Sequence, residues 1–129
     1  MIEPVRSLLT RKDRITAIRI GNATAVLARL DKNMRMRGVG MFLYVAHNEG
    51  ITVSELAEHF GVRKNIASRY LSDLGTVDRH GKPGLGLITL VQRVYGDRRV
   101  RHVHLTERGK QVTAEMWVAL TEESPRKRF

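Results

Sequence analysis

The sequence predicts an α+β fold, mainly α, built from helices and a single β-hairpin. Apolar residues recur at three- and four-residue steps through most of the 129 residues, the spacing of helices that bury one face. Thr52-Val53-Ser54-Glu55 has the composition of a capping box, and Gly61 stands where the helix it opens should stop, with a second helical pattern beginning at once. Further on, two runs rich in Val, Ile, Leu and Thr flank Tyr95-Gly96-Asp97-Arg98-Arg99, which reads as a hairpin with a basic tip.

Taken in order, residues 4–30 place Val5, Leu8, Leu9, Ile15, Ile18, Val26, Leu27 and Leu30 at helical spacing, broken by Gly21, and read as one or two helices. Thr10 and Asp13, three apart, suit a helix start there, although Asp is a weaker capping-box partner than Glu. Gly38 and Gly40 interrupt, after which Met41, Phe42, Val45 and Ala46 form a short apolar helix ending near Asn48-Glu49-Gly50. The capping box opens a helix that runs through Phe60. Beyond Gly61-Val62-Arg63 another spans 64–74, with Ile66 or Ala67, Tyr70, Leu71 and Leu74 inward. Residues 75–86 hold Gly75, Gly81, Pro83, Gly84 and Gly86, too many breakers for a regular element. Strands follow over 87–94 and 100–105, and from Thr106 the positions Val112, Met116, Ala119 and Leu120 step as a last helix that ends before Ser124-Pro125. The tail Arg126-Lys127-Arg128-Phe129 is expected to be mobile.

A helix-turn-helix leading into a basic hairpin is the layout of a winged helix-turn-helix. The chain therefore divides into an N-terminal helical dimerisation arm (1–37), a winged core (38–105) and a C-terminal dimerisation helix with a basic tail (106–129). The two flanking segments carry apolar faces that a three-helix winged core leaves partly uncovered, which points to a homodimer.

The chain carries 23 Lys and Arg against 13 Asp and Glu, a net charge of +10, yet at 42% hydrophobic it has ample material for a core, so the excess is not that of a disordered segment. The charge is placed unevenly: about +6 over 1–37, −1 over 38–75, +4 over 76–105 and +1 over 106–129. A basic excess of this kind neutralises phosphates and supplies sequence-independent affinity for nucleic acid. With zero Cys, disulfides, thiolate zinc sites and thiol nucleophiles are excluded. No run of eighteen apolar residues and no leader pattern is present, so a cytoplasmic protein without a membrane association is expected.

In a helix-turn-helix the second helix enters the major groove and its first turns meet base edges. Here those turns carry Arg63, Lys64, Asn65, Ser68, Arg69 and Ser72. Asn pairs bidentately with adenine and Arg with guanine, which makes Asn65 and Arg69 the candidates for base readout, while Lys64 and Ser68 suit phosphates. The hairpin offers Arg98 and Arg99 at its tip and Arg93 and Arg101 on its strands, and arginine is drawn to the negative potential of a narrow minor groove. His102 and His104, two apart on a strand, point to one face and with His80 have the makings of a metal site, but surface hydrogen bonding is the commoner role. Met116 and Trp117 fit a core or dimer interface better than a ligand pocket. No nucleophile elbow, phosphate loop or dinucleotide fingerprint is present. Neither an enzyme nor a bound metal or cofactor is expected.

Thr52-Val53-Ser54-Glu55-Leu56-Ala57, Phe60-Gly61-Val62 and Ala67-Ser68-Arg69 with Leu71 and Leu74 resemble the helix-turn-helix of the multiple-antibiotic-resistance regulator (MarR) family. Asp97-Arg98-Arg99 followed by Val103, Leu105-Thr106 and Gly109 resembles that family's wing, and Gly86-Leu87-Ile88 its lead into the wing. The resemblance covers roughly residues 50–110 and implies a dimeric regulator that binds double-stranded DNA through Ser68, Arg69 and the wing arginines Arg98 and Arg99, with Asp97 bracing the wing. Residues 75–85 depart from the family layout, in which the recognition helix runs almost directly into Gly-Leu-Ile, and the termini do not match residues of a ligand pocket. A winged helix equally serves partition or replication proteins of plasmids and phages, and basic RNA-binding or ribosome-associated proteins.

Overall fold

The computed structural model describes residues 9–76 and 80–129, so the expectations for Val5 and Leu8 lie outside the described residues. The elements run α1 (Arg11–Ala28), α2 (Met36–His47), α3 (Val53–Phe60), α4 (Lys64–Leu74), β1 (Ile88–Tyr95), β2 (Arg98–Leu105) and α5 (Glu107–Thr121). No helix among the described residues is long and apolar enough to cross a membrane.

The predicted helix starts are built as the sequence suggests. Thr10 accepts from the Asp13 amide at 3.2 Å while the Asp13 carboxylate takes the Thr10 amide at 2.9 Å, a complete capping box. Hydrogen bonds from the Thr10 backbone N–H and hydroxyl hold the Asp13 carboxyl below the ordinary aspartate range. Thr52 and Glu55 make the same reciprocal pair at 3.0 and 3.2 Å, and Gly61 closes α3.

One open expectation is resolved and two are corrected. Of the one or two helices expected over 4–30, the described part is a single helix, α1, that passes through Gly21 without a break. Gly38 and Gly40 do not interrupt α2 but lie inside its first turns. The reason at Gly40 is close approach: a Cβ there would stand 3.3 Å from the Phe60 ring, so a glycine, although it costs about 1 kcal/mol in a helix, leaves room for that ring against α2. The hairpin is also tighter than predicted. Tyr95 pairs with Arg98 across the two-residue turn Gly96-Asp97, where Gly96 adopts φ +62°, and Arg98 and Arg99 therefore belong to β2.

The core is continuous through these elements. Phe42, Met41 and Val45 of α2 meet Leu56 and Ala57 of α3, Ala67, Leu71 and Leu74 of α4, and Ile88 and Val103 of the hairpin, all buried. Ala23, Val26 and Leu27 of α1 join Val112, Met116 and Ala119 of α5 in the same cluster, and α1 and α5 are extensively packed together.

The insertion at 75–85 is pinched off at its base. Backbone bonds run from Leu87 to Leu74 (2.8 Å), Gly86 to Gly75 (2.8 Å), Leu85 to Asp73 (3.0 Å) and Gly84 to Thr76 (3.0 Å). The chain thus leaves α4 and returns to the same place, and β1 starts at Ile88 directly against the end of that helix.

The tail was expected to be mobile but is docked on α1. Asn22, the one buried polar residue among those described, donates from Nδ2 to the Arg126 carbonyl (2.8 Å) and accepts from the Arg128 amide at Oδ1 (2.7 Å). Arg19 Nε donates to the Glu122 carbonyl at 2.8 Å, Arg128 pairs with Glu122 at 3.3 Å, and the Phe129 ring stands over Gly21. An amide side chain satisfied on both atoms by extended backbone orders that backbone, because leaving either atom unpaired in a buried position costs about 1–3 kcal/mol. Asn22→Ala should accordingly lower the unfolding free energy by about 1–2 kcal/mol and expose residues 122–129 to limited proteolysis. A urea titration and a tryptic time course check both effects; undiminished tail protection would remove Asn22 from this role.

Candidate nucleic-acid interface

The second helix of the helix-turn-helix, α4, buries one stripe and offers the opposite one. Ala67, Leu71 and Leu74 face the core, whereas Arg63, Lys64, Asn65 and Arg69 are exposed and Ser68 and Ser72 are half-buried at the edges. Arg63, the N-cap, makes no side-chain hydrogen bond to the first turn, so the Lys64 and Asn65 amides remain available as donors, while that of Ile66 is taken by the Arg63 carbonyl. No acidic side chain among the described residues pairs with Arg63, Lys64, Arg69, Arg93, Arg98 or Arg99.

The start of α3, the start of α4 and strand β2 enclose a cleft of about 480 Å³ in which Lys64, Arg98, Arg99 and Arg101 outnumber one acidic residue, Glu55. Two separate sequence predictions, helix start and wing arginines, thus meet in one basic recess. Strand alternation divides the arginines between the faces of the hairpin. Arg99 and Arg101 share a face with the buried Ile88 and Val103, and Arg93 and Arg98 lie on the other with His102 and His104.

Arg101 and Ser68, both candidates for DNA contact, are joined to each other: Arg101 Nη2 donates to Ser68 Oγ at 3.1 Å. The bond links the wing to α4 directly. The wing root is fixed further by His102. Its Nδ1 lies 2.8 Å from the Gly50 carbonyl, which only accepts, so Nδ1 carries the proton and Nε2 faces the Tyr95 hydroxyl at 3.3 Å. The bracing role that the resemblance implies for Asp97 has no counterpart among the described residues. Asp97 sits in the tight turn without an ion pair to Arg98 or Arg99, whose strand pairing directs them along the hairpin. Among the described residues no three His, Asp or Glu side chains gather as a metal site.

Sequence reasoning missed Arg35. It lines a recess of about 300 Å³ with Ile66, Arg69, Tyr70 and Asp73, on the flank of α4 away from the wing. The only signal was the large positive excess of the first 37 residues.

No protein-family model matches the sequence, and no curated protein matches it. Solved structures do. The chain is similar to RV1404 from Mycobacterium tuberculosis, at 21% identity over 88% of this chain and 68% of that one, with a TM-score of 0.57. It is similar to MarR at 21% identity, covering 85% of this chain and 75% of that one, with a TM-score of 0.54. A MarR protein from Peptoclostridium difficile matches at 13% identity over 95% and 82% of the two chains, with a TM-score of 0.52. The fold is MarR-like: a mainly helical winged helix-turn-helix.

The His102 bridge leads to a specific expectation. His102→Ala should speed amide exchange at Gly50 and Val103, whose N–H groups donate to the Val103 and Ile51 carbonyls beside the His102–Gly50 bond, and leave α1 unchanged, with a loss of about 1–2 kcal/mol in stability. Hydrogen exchange followed by mass spectrometry checks this, and uniform acceleration across the chain would mean that His102 supports the whole fold instead of the wing root.

Proposed function

We propose that the protein is a non-catalytic, sequence-specific regulator of transcription that binds double-stranded DNA as a homodimer, on a roughly palindromic site with half-sites about one helical turn apart. The observation that carries this reading is the exposed polar stripe of α4, with Asn65 and Arg69 unengaged among the described residues, beside a basic cleft shared by α4 and the wing. In this reading Asn65 and Arg69 meet base edges, Lys64, Arg63, Ser68 and Ser72 flank them, and Arg93, Arg98, Arg99 and Arg101 supply phosphate or minor-groove contacts from the wing. The MarR-like fold is compatible with it, since the similar structures include MarR proteins.

The dimer is proposed through the terminal helices. Trp117 (66% exposed) and Val118 (63%) of α5 and Ile20 (52%) of α1 leave large apolar side chains in water, where a monomer gains nothing from them. Light scattering at micromolar concentration should give twice the 14.7 kDa chain mass. A monomer bound to a single half-site overturns the dimer.

Footprinting of the purified protein across genomic DNA should recover discrete sites. On those sites Asn65→Ala and Arg69→Ala should each weaken binding by about 1–3 kcal/mol and relax preference at particular base pairs, with smaller losses on non-specific duplex. Equal losses on every sequence would make both residues phosphate contacts. Competition with an RNA duplex of matched sequence distinguishes the RNA-binding alternative, because the deep, narrow RNA major groove excludes a helix.

A further inference from the structure

The largest positive excess in the chain, about +6 over residues 1–37, lies outside the helix-turn-helix and wing. Part of it is concentrated in the turn from α1 to α2, where Arg29, Lys32, Arg35 and Arg37 face one acidic residue, Asp31. All four are exposed, and none forms an ion pair among the described residues.

Arg35 is the member of this group that meets the recognition helix. On α4, Ile66, Arg69, Tyr70 and Asp73 follow the i, i+3, i+4, i+7 spacing of one helical stripe, and Arg35 closes the recess along it. The wing cleft, with Lys64 and Arg101, involves another side of α4. A helix about 10–12 Å across fills a major groove about 12 Å wide, so phosphates of the two strands run along both of its flanks. A helix inserted with a basic cleft on one side needs a cationic group on the other to hold the second strand.

Resting on the DNA-binding reading above, we propose that Arg35, across the recess from the base-reading Arg69, forms a second phosphate-binding edge, so that duplex DNA is gripped on the flank of α4 opposite the wing as well as on the wing side. The guanidinium of Arg35 makes no hydrogen bond or ion pair among the described residues and gives up no internal partner to bind phosphate. The Tyr70 ring forms part of the wall. Asp73, one turn beyond Arg69 in the same recess, opposes a phosphate there and limits how far the edge extends toward the end of α4.

The test is a salt series on a mixed-sequence DNA duplex of about thirty base pairs, roughly three helical turns. Arg35→Ala should lower affinity about 5–10-fold near 100 mM salt for all sequences alike, and make the slope of log affinity against log salt shallower by about 0.9 for each phosphate no longer neutralised. Arg35→Gln should do the same, whereas Arg35→Lys should keep most of the slope, since an ammonium remains a point charge. Asp73→Asn should raise affinity about 2–3-fold. Thermal unfolding of each variant identifies any loss of fold, and the Gln and Lys variants retain a long side chain at this position. The double variant Arg98→Ala, Arg99→Ala serves as the comparison for the wing side. An Arg35→Ala slope equal to wild type, while the wing variant becomes shallower, overturns the second edge and leaves the DNA-binding reading standing. Absence of duplex binding by the wild-type protein overturns both.

Discussion

The backbone of Val103 reaches in two directions. Its amide and carbonyl bond to Ile51 and Gly50 at 2.8 Å, while the strand that contains it pairs with β1 on its other edge. Its side chain is fully buried in the core formed by α2, α3 and α4. β2 is therefore the middle of the arrangement, joined to the entrance of the helix-turn-helix, and successive residues add to the joint: Arg101 to Ser68, His102 to Gly50, and Leu105, whose amide donates to the Glu49 carboxylate at 2.8 Å. Each such bond contributes only about 0.5–1.5 kcal/mol, but they converge on one strand and restrain the same degree of freedom. The angle between α4 and the hairpin is set here, and with it the relative placement of everything that a duplex would touch.

Under the proposed function, attraction and readout are separated in this chain. The helix-turn-helix segment has a net charge near −1, so its own affinity for a polyanion is small, and the positive charge lies in the neighbouring turn and hairpin. Asn65 is neutral and stands amid the basic groups at the exposed start of α4. Under the proposed function, salt would modulate how tightly the protein holds any duplex while the pattern read by Asn65 and Arg69 changes little.

Features encoded over a few neighbouring residues were legible in the sequence. Thr52 with Glu55 and Thr10 with Asp13 are local reciprocal bonds, and the 64–74 pattern fixed its own buried stripe without reference to the rest of the fold. Features that depend on a partner distant in the chain were not. Gly40 reads as a breaker until Phe60 is set against it, and the tail reads as a charged, mobile end until Asn22, more than a hundred residues away, is found holding its backbone. The candidate site divides the same way. Lys64, Asn65 and Arg69 are visible from position within a motif, but the pairing of Ser68 with Arg101 and the approach of Arg35 to α4 arise from packing between segments. The wing arginines were placed by type and not by face, because the length of the turn sets the register and the true turn, Gly96-Asp97, is shorter than the composition suggested.

The four backbone bonds at the base of residues 75–85 separate the length of that excursion from the geometry of its surroundings. Residues added or removed beyond the neck change the loop and leave the distance from Leu74 to Leu87 as it is, with closure entropy rising only as the logarithm of loop length, about 0.6 kcal/mol per doubling. The segment is thus a natural point for grafting: a short epitope or a fluorophore-binding peptide placed there would report on α4 from its far end without altering the register of the hairpin that follows.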